Sequence, residues 1–151
     1  MKIRQLENGE QVPIELLLQA DPSEKLINEY VRIGECYVAE LKERVIGTYV
    51  LLEKNTTTIE LKNIAVNEEF QGRGLGKELL FHSIEQARKM GYRTIEVGTG
   101  NSSIGQLAFY QKCGFRIIEI DHDFFLRHYP EPIVENGIQC LDMIVLRLVL
   151  Q

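Results

Sequence analysis

The sequence predicts an α/β fold in which a central mixed, mostly antiparallel sheet of about seven strands is flanked by about four helices. Two observations favour this class. Three strand-like segments follow one another between residues 34 and 66 with short polar connections, which is typical of antiparallel neighbours. A strand, a long amphipathic helix and a second strand then occupy residues 57–97, and such a unit forms a right-handed crossover between parallel strands.

Length, charge and composition narrow the class of protein. The 151 residues predict one domain, residues 1–151, with a single sizeable core. The net charge of −5 argues against nucleic acid as a partner, because phosphate contacts require Lys and Arg, and it favours a cationic substrate. The N-terminus lacks the apolar segment of a secretory leader, and no apolar run approaches membrane-spanning length. We therefore expect a cytoplasmic protein with no membrane partner.

The cysteine and histidine spacings do not indicate a metal site. Cys36, Cys113 and Cys140 are odd in number and widely spaced, which favours reduced, buried thiols over a disulfide framework or a zinc site. His122 and His128 are also poorly spaced for metal ligation. No metal is expected.

The N-terminal region predicts one short strand and two helices. Residues 2–6 alternate between polar and apolar positions, as a strand does, and the leucine-rich residues 13–20 predict a helix. Asp21 is then expected to cap a second helix, with Pro22 at its first position and an end near Tyr30.

The next three strands are predicted at residues 34–41, 45–52 and 57–66. In the third strand, Ile59 and Leu61 share one face, but the apolar set then continues at Ile64 and Val66, one residue out of phase. Because strand side chains alternate strictly, this shift predicts a β-bulge near Asn63. A strand end that is buried on both faces would give the same pattern.

Residues 74–90 are the clearest helical segment of the chain. Its apolar stripe comprises Leu75, Leu79, Leu80, Ile84 and Ala87. Gly91 follows a basic last turn and predicts the helix end. A strand at residues 94–97 and a loop at residues 98–101 complete the crossover.

The C-terminal third begins with a helix-start pattern. Ser103 and Gln106 have the spacing of a capping box, which predicts a helix through residue 112. Two strands, at residues 115–120 and 138–150, are predicted on either side of a polar, aromatic segment at residues 121–137.

A glycine-rich turn, residues 71–77, joins the predicted strand at residues 57–66 to the long helix. Glycines allow a close approach of backbone to ligand, and the free N–H groups of a helix start suit a phosphate, so the turn predicts a pyrophosphate cradle. It is not a Walker A loop, because Gly72 and Gly76 are one residue too close and Glu78 replaces the hydroxyl. Its G-x-G-x-G spacing also differs from the dinucleotide fingerprint.

A third pattern, Q/R-x-x-G-x-G/A, is matched by Gln71, Gly74 and Gly76. This turn resembles the acetyl-CoA pyrophosphate loop of the GNAT superfamily of N-acetyltransferases. A second landmark of that family is matched by Asn101, Ala108, Phe109, Tyr110, Lys112, Gly114 and Phe115. The resemblance covers nearly the whole chain, the predicted sheet topology included, and is sharpest between residues 59 and 115.

The resemblance implies that acetyl-CoA is the cosubstrate and that its acetyl group passes to a primary amine by direct attack in a ternary complex. It implies cofactor contacts at Ile64, Ala65, Val66, Gln71, Gly72, Arg73, Gly74, Leu75, Gly76, Lys77, Asn101, Ser103 and Tyr110. The Tyr110 hydroxyl would protonate the departing thiolate. A covalent acyl-cysteine route is disfavoured, because neither Cys113 nor Cys140 has an evident activating partner.

The general base is less sharply indicated. Glu60 lies eleven positions before Gln71 (71 − 60 = 11), which resembles the base glutamate of the histone-acetylating branch, although a solvated strand glutamate fits equally well. His122, Asp123, Glu131 and Glu135 are competing candidates, and a chain of waters is another.

The acceptor is expected on the side built by residues 13–30 and 121–137, opposite the cofactor. Acidic and aromatic side chains in the second segment suit a small cationic amine, although protein lysines or N-termini remain alternatives, as does a non-catalytic acyl-CoA-binding or sensing module. The apolar last strand is expected either to pair with a second copy in a homodimer or to be buried by the chain's own helices.

Overall fold

The computed structural model describes residues 1–150, in which strands and helices alternate largely as predicted. The strands are β1 (Lys2–Gln5), β2 (Glu35–Leu41), β3 (Arg44–Glu53), β4 (Thr58–Val66), β5 (Thr94–Gly100), β6 (Arg116–Asp121), β7 (Val134–Glu135), β8 (Ile138–Gln139) and β9 (Met143–Val149). The helices are α1 (Ile14–Ala20), α2 (Glu24–Ile33), α3 (Leu75–Lys89), α4 (Ile104–Lys112) and α5 (Phe124–His128), with a short 3-10 helix at Glu68–Phe70.

Seven of the strands form one mixed sheet in the order β1-β2-β3-β4-β5-β9-β6. Every neighbouring pair is antiparallel except β4 and β5, which run parallel because α3 carries the chain across between them. The predicted fold class is therefore confirmed. The remaining strands, β7 and β8, form a separate two-stranded hairpin.

Helices bury both faces of the central strands. On one face, Leu79 and Leu80 of α3 are fully buried in a core with Ile59 and Leu61 of β4. On the other face, α1 and α2 form a smaller cluster against β2 and β3, with Leu17, Ile27, Tyr30, Cys36 and Val50 at its centre. The periodicities read from the sequence correspond to these buried faces.

The bulge predicted near Asn63, in the strand at residues 57–66, is present in β4. Val50 pairs with Asn63 and the next residue, Leu51, pairs with Leu61, so Lys62 is an extra residue on β4. The extra residue returns Ile64 to the α3 side of the sheet and turns Asn63 toward α1. There the Asn63 Nδ2 donates to the carbonyl of Leu17 at 3.0 Å.

The bulge also opens the sheet. The parallel strands β4 and β5 pair only from Thr58 to Leu61 and from Thr94 to Val97. Beyond that point β4 pairs only with β3, and β5 pairs only with β9. The last residues of β4 therefore present one backbone edge to a cleft that no strand fills, which is where a ligand can reach main-chain groups.

The second helix begins differently from the prediction. Its N-cap is Ser23, whose Oγ accepts from the Leu26 N–H at 3.2 Å. Asp21 instead ends α1, because its N–H donates to the Leu17 carbonyl at 3.1 Å. The Asp21 side chain is thereby free to accept other hydrogen bonds.

The end of the chain is not one long strand. It breaks after β8 and re-enters the sheet at β9, while the loop predicted at residues 98–101 is mostly strand, with Gly98 to Gly100 paired to β9. Since β5 and β6 occupy both edges of β9, this strand has no free edge with which to pair with a second copy. Ile144 and Leu146 are buried within the chain, whereas Val149 is exposed. No helix within residues 1–150 is both long and apolar enough to cross a membrane.

Candidate active site

The glycine turn has the backbone geometry of a cradle. Gly72 and Gly74 both lie in the left-handed region, with φ of 78° and 80°, which side chains other than glycine rarely adopt. Gly74 is the N-cap of α3 and has no side chain to satisfy the first turn. The first N–H groups of α3 therefore point out of the helix end without an intrahelical acceptor, as anion binding requires.

Gln71 attaches this turn to the sheet. Its Nε2 donates to the Val66 carbonyl at 3.0 Å, so the side chain fixes the distance between the end of β4 and the helix start. The cations of the turn lie to its side: Arg73 stacks on Phe70 at 5.3 Å, and Lys77 lies 5.7 Å from the Phe81 ring. Neither Arg73 nor Lys77 lines the groove described next.

A groove of about 340 Å³ runs from the cradle along the open edge of β4. Its lining comprises Gln19, Ala20, Ile64, Ala65, Val66, Phe70, Gln71, Gly72, Gly74, Leu75, Gly76, Gly105, Gln106 and Phe109. Two sequence-predicted sets, the end of β4 and the glycine turn, thus meet in one elongated cleft, which we call the cofactor groove. Its far wall is α4.

A central cavity of about 400 Å³ adjoins the cofactor groove and shares Ile64 and Gln106 with it. Tyr110 lines this cavity although its ring is 4% exposed, and the ring packs against Phe109 and Phe115. Within residues 1–150 its hydroxyl has no hydrogen-bond partner. Burial raises the pKa of Tyr110 above its ordinary value, so the phenol stays protonated and is available to donate.

An outer cavity of about 390 Å³ lies beyond the central one, between the N-terminal helices and the segment of residues 121–137. Its apolar walls are Leu26, Phe124, Phe125 and Ile133, with Tyr30 and Tyr129 adding aromatic surface. Its charged lining residues are Asp21, Glu60, Glu135 and Lys62, so carboxylates outnumber the one lysine. The expected position of the acceptor side therefore coincides with a real cavity.

Asp21 anchors a polar network in the wall of the outer cavity. Its carboxylate accepts from the Tyr30 hydroxyl at 3.1 Å and from the Tyr129 hydroxyl at 2.8 Å. Asn63 Nδ2 in turn donates to the Tyr30 oxygen at 2.9 Å. Burial raises the pKa values of both phenols, which keeps them donating to Asp21. The network ties the bulge of β4 to both walls of the outer cavity.

The candidate bases occupy different places. Glu60 lines only the outer cavity and lies 3.6 Å from the Lys62 Nζ. Glu135 lines both the outer and the central cavities. His122, Asp123 and Glu131 line none of the three cavities. The acidic character expected of residues 121–137 thus reaches the cleft only through Glu135.

Asn101 and Ser103 make contacts within the protein. Asn101 Oδ1 accepts from the N–H groups of Leu141 and Asp142 at 2.7 and 2.9 Å, and its Nδ2 donates to the Gln139 carbonyl. The predicted capping box is wrong, since Ser103 Oγ makes no cap and instead donates to Glu135 Oε1 at 2.8 Å. The cofactor contacts implied for both residues stay predictions.

A substitution of Asn101 tests whether its side chain stabilises the chain break between β8 and β9. Asn101→Ala should lower the melting temperature by about 5–10 °C, because two backbone N–H groups lose their acceptor at a cost of about 2–3 kcal/mol. Asn101→Asp keeps an acceptor oxygen and should lose less. Thermal unfolding followed by circular dichroism measures both variants, and an unchanged midpoint in the alanine variant would refute this role.

The remaining reactive groups do not add a second site. Cys36, Cys113 and Cys140 are free thiols. Cys36 and Cys140 are buried as expected, and burial raises the pKa of both thiols, whereas Cys113 is half-buried. Within the described residues, no group of three or more His, Cys, Asp or Glu side chains could hold a metal ion.

Sequence reasoning missed several residues of the cleft. Asn63 is evident from the sequence only as the bulge position, although it is 4% exposed, lines the central cavity and has a buried Oδ1 without a partner among residues 1–150. Asp21 was expected only as a helix cap, although it lines the outer cavity. Gln106 and Phe109 form a wall of the cofactor groove, although the sequence indicated Phe109 only as part of the second family landmark and did not indicate Gln106 as a lining residue.

Comparison with known proteins agrees with this geometry. The model of the acetyltransferase (GNAT) family matches residues 3–115. The uncharacterised N-acetyltransferase YvbK of Bacillus subtilis (strain 168) is 55% identical over 151 residues, covering 98% of this chain and 97% of that protein. A GNAT family acetyltransferase from Elizabethkingia anophelis, solved with acetyl-CoA bound, is 49% identical with a TM-score of 0.97 and covers 99% of this chain and 97% of that one. The IAA acetyltransferase from Bacillus cereus ATCC 14579 is 54% identical with a TM-score of 0.94, with 99% of both chains covered.

Proposed function

Because the chain belongs to the acetyltransferase (GNAT) family, we propose that it moves the acetyl group of acetyl-CoA to a primary amine by direct attack in a ternary complex. The observation that carries this proposal is the row of adjoining cavities, with the cradle at one end, Tyr110 in the middle and a separate aromatic, acidic cavity at the other. Two reactants can therefore enter from opposite sides and meet at the centre.

Acetyl-CoA fits the cofactor groove by its chemistry. The pyrophosphate would be held by backbone N–H groups of the cradle, from Gly72 to Lys77, together with the positive end of the α3 dipole. The pantetheine arm is itself an amide chain and would pair with the open edge of β4 at Ile64, Ala65 and Val66. The thioester would then reach the central cavity, beside Tyr110.

The reaction needs three functions at that point. The amine must be neutral, the carbonyl oxygen needs a donor as negative charge develops on it, and the thiolate needs a proton. Main-chain N–H groups of β4 next to the bulge supply the donor, and the protonated Tyr110 hydroxyl supplies the proton to sulfur. The new C–N bond forms as the C–S bond breaks.

The outer cavity suits an amine with an apolar body. Aromatic and aliphatic walls can bury such a body, while Asp21 and Glu60 favour the approach of an ammonium group. Its place between two N-terminal helices, α5 and the β7–β8 hairpin favours a small molecule over a protein chain. A non-catalytic acyl-CoA sensor would not need a protonated phenol directed into the central cavity, so Tyr110 favours the enzyme.

An amine panel tests the function and the acceptor class together. Purified protein with acetyl-CoA should release free thiol with phenethylamine, at a kcat/KM about tenfold above that with butylamine, because a larger apolar body is buried. A lysine-containing peptide should be a poor acceptor. Phe125→Ala should reduce the preference for phenethylamine, and Phe81→Ala, on an exposed part of α3, should not. Thiol release with none of the amines would refute the transferase proposal.

A further inference from the structure

We propose that Glu135, on the β7–β8 hairpin, is the catalytic residue that takes the proton from the acceptor ammonium. This inference rests on the proposed acetyl transfer and names a participant of the same site. Glu135 is the only carboxylate of residues 1–150 that lines both the cavity containing Tyr110 and the cavity assigned to the acceptor. An amine that passes from the outer to the central cavity therefore passes Glu135.

Glu135 is held in place by the hairpin that carries it. Ser103 Oγ donates to its Oε1 at 2.8 Å, and the neighbouring Asn136 Nδ2 donates to the Ser102 carbonyl at 2.8 Å. Asn136 and Gly137 form the hairpin turn with φ of 56° and 72°. These contacts fasten the exposed hairpin to the start of α4, the helix that bears Tyr110, so the base and the acid are both attached to this helix. Within the described residues, Glu135 Oε2 has no partner.

Glu60 is less suitably placed for this step. It lines the outer cavity alone, and Lys62 lies 3.6 Å from its carboxylate and 5.6 Å from the Tyr30 ring centre. Lys62, unlike Glu60, also lines the central cavity. The Lys62 ammonium and not the Glu60 carboxylate therefore borders the space assigned to the reacting atoms. Glu60 is better placed to attract the ammonium than to deprotonate it.

The ammonium nitrogen gives one proton to the Glu135 carboxylate, and the resulting lone pair attacks the thioester carbonyl carbon. As the C–S electron pair leaves with sulfur, the Tyr110 hydroxyl protonates the thiolate. The nitrogen then loses a second proton, which passes through the cleft to the Tyr110 phenolate and restores the phenol. Glu135 returns its proton to solvent. The products are the N-acetyl amine, CoA and one proton.

Two amines of different basicity test the assignment. Phenethylamine is protonated at neutral pH and needs the base, whereas 2,2-difluoro-2-phenylethylamine has the same body but is largely neutral, because its fluorines lower the pKa of the ammonium. Glu135→Gln retains an oxygen for the Ser103 hydrogen bond but cannot accept a proton. Its kcat/KM should fall about 100-fold with phenethylamine at pH 7, and only a few-fold with the difluoro amine. The loss with phenethylamine should shrink as pH rises.

Companion variants make the result decisive. Glu60→Gln should raise KM for phenethylamine but leave the ratio of kcat/KM between the two amines at the wild-type value. Glu119→Gln, on exposed β6, should leave kcat/KM unchanged with both amines. Acetyl-CoA affinity and melting temperature should be unchanged in Glu135→Gln. The assignment would be overturned if Glu135→Gln lost equal kcat/KM with both amines, or if Glu60→Gln instead lost activity selectively with phenethylamine. If the wild type released no CoA with either amine, the proposed function would fail first, and this inference with it.

Discussion

Replacing Tyr110 with phenylalanine should lower kcat by about 10³-fold and leave acetyl-CoA affinity nearly unchanged. The expected size is that of a general acid in an enclosed site, for which losses of about 10²–10⁴-fold are typical. The ring should stay in place, because its contacts with Phe109 and Phe115 do not involve the hydroxyl. Only the proton for the departing thiolate is removed. Single-turnover kinetics with phenethylamine, together with calorimetric titration of acetyl-CoA, separates the two effects.

The same residue predicts a pH profile. Because burial raises the pKa of Tyr110 above the ordinary value of about 10, the phenol should not lose its proton as pH rises toward that value, and the rate should show no decline from this group. Tyr92→Phe removes another phenol hydroxyl, far from the cleft, and serves as the control. A Tyr110→Phe variant with wild-type turnover under conditions where chemistry limits the rate would exclude Tyr110 from the mechanism.

Replacing Gly74 with valine should weaken acetyl-CoA binding by about 100-fold or more. A side chain at this site has no protein atom within 4 Å, so the residue itself is not crowded. Its φ of 80°, however, is one that a β-branched residue resists, so the backbone should shift and move the first N–H groups of α3. Losing two charge-assisted hydrogen bonds to the pyrophosphate costs about 3 kcal/mol or more, which is roughly a hundredfold in affinity.

Gly91 offers a matched control for backbone strain. It lies just beyond the opposite end of α3 and has φ of 89°, and a β-carbon at this position would likewise meet no atom within 4 Å. Gly91→Val should therefore destabilise the fold about as much as Gly74→Val while binding acetyl-CoA normally. Calorimetry of both variants, with melting temperatures, measures this difference. If the two variants bound acetyl-CoA equally well, the cradle would have to be placed elsewhere.

Local patterns in the sequence were sufficient for the fold class and for two walls of the cleft, the end of β4 and the glycine turn. The one-residue shift between Leu61 and Ile64 predicted the bulge that the structure places at Lys62. The glycine spacing predicted a tight turn at the start of α3, and Gly72 and Gly74 in that turn have positive φ values. These features depend on backbone conformations that a few neighbouring residues impose, through the two-residue period of strands and the conformational freedom of glycine. Sequence alone can therefore specify them.

The contacts around the outer cavity were decided by tertiary structure. The hydrogen bond from Ser103 to Glu135 spans 32 residues, and the one from Tyr129 to Asp21 spans 108. No sequence periodicity indicates either contact. Ser103 is at the N-cap of α4 but its hydroxyl makes no capping hydrogen bond, whereas the Asp21 carboxylate accepts the Ser23 N–H at 3.0 Å as well as the tyrosine hydroxyls. Nor does any periodicity indicate the contacts of Asn101, whose amide holds the break before β9 across about 40 residues. Short polar side chains satisfy whichever backbone or side-chain partner the folded chain brings within reach, and only the tertiary arrangement determines which partner that is.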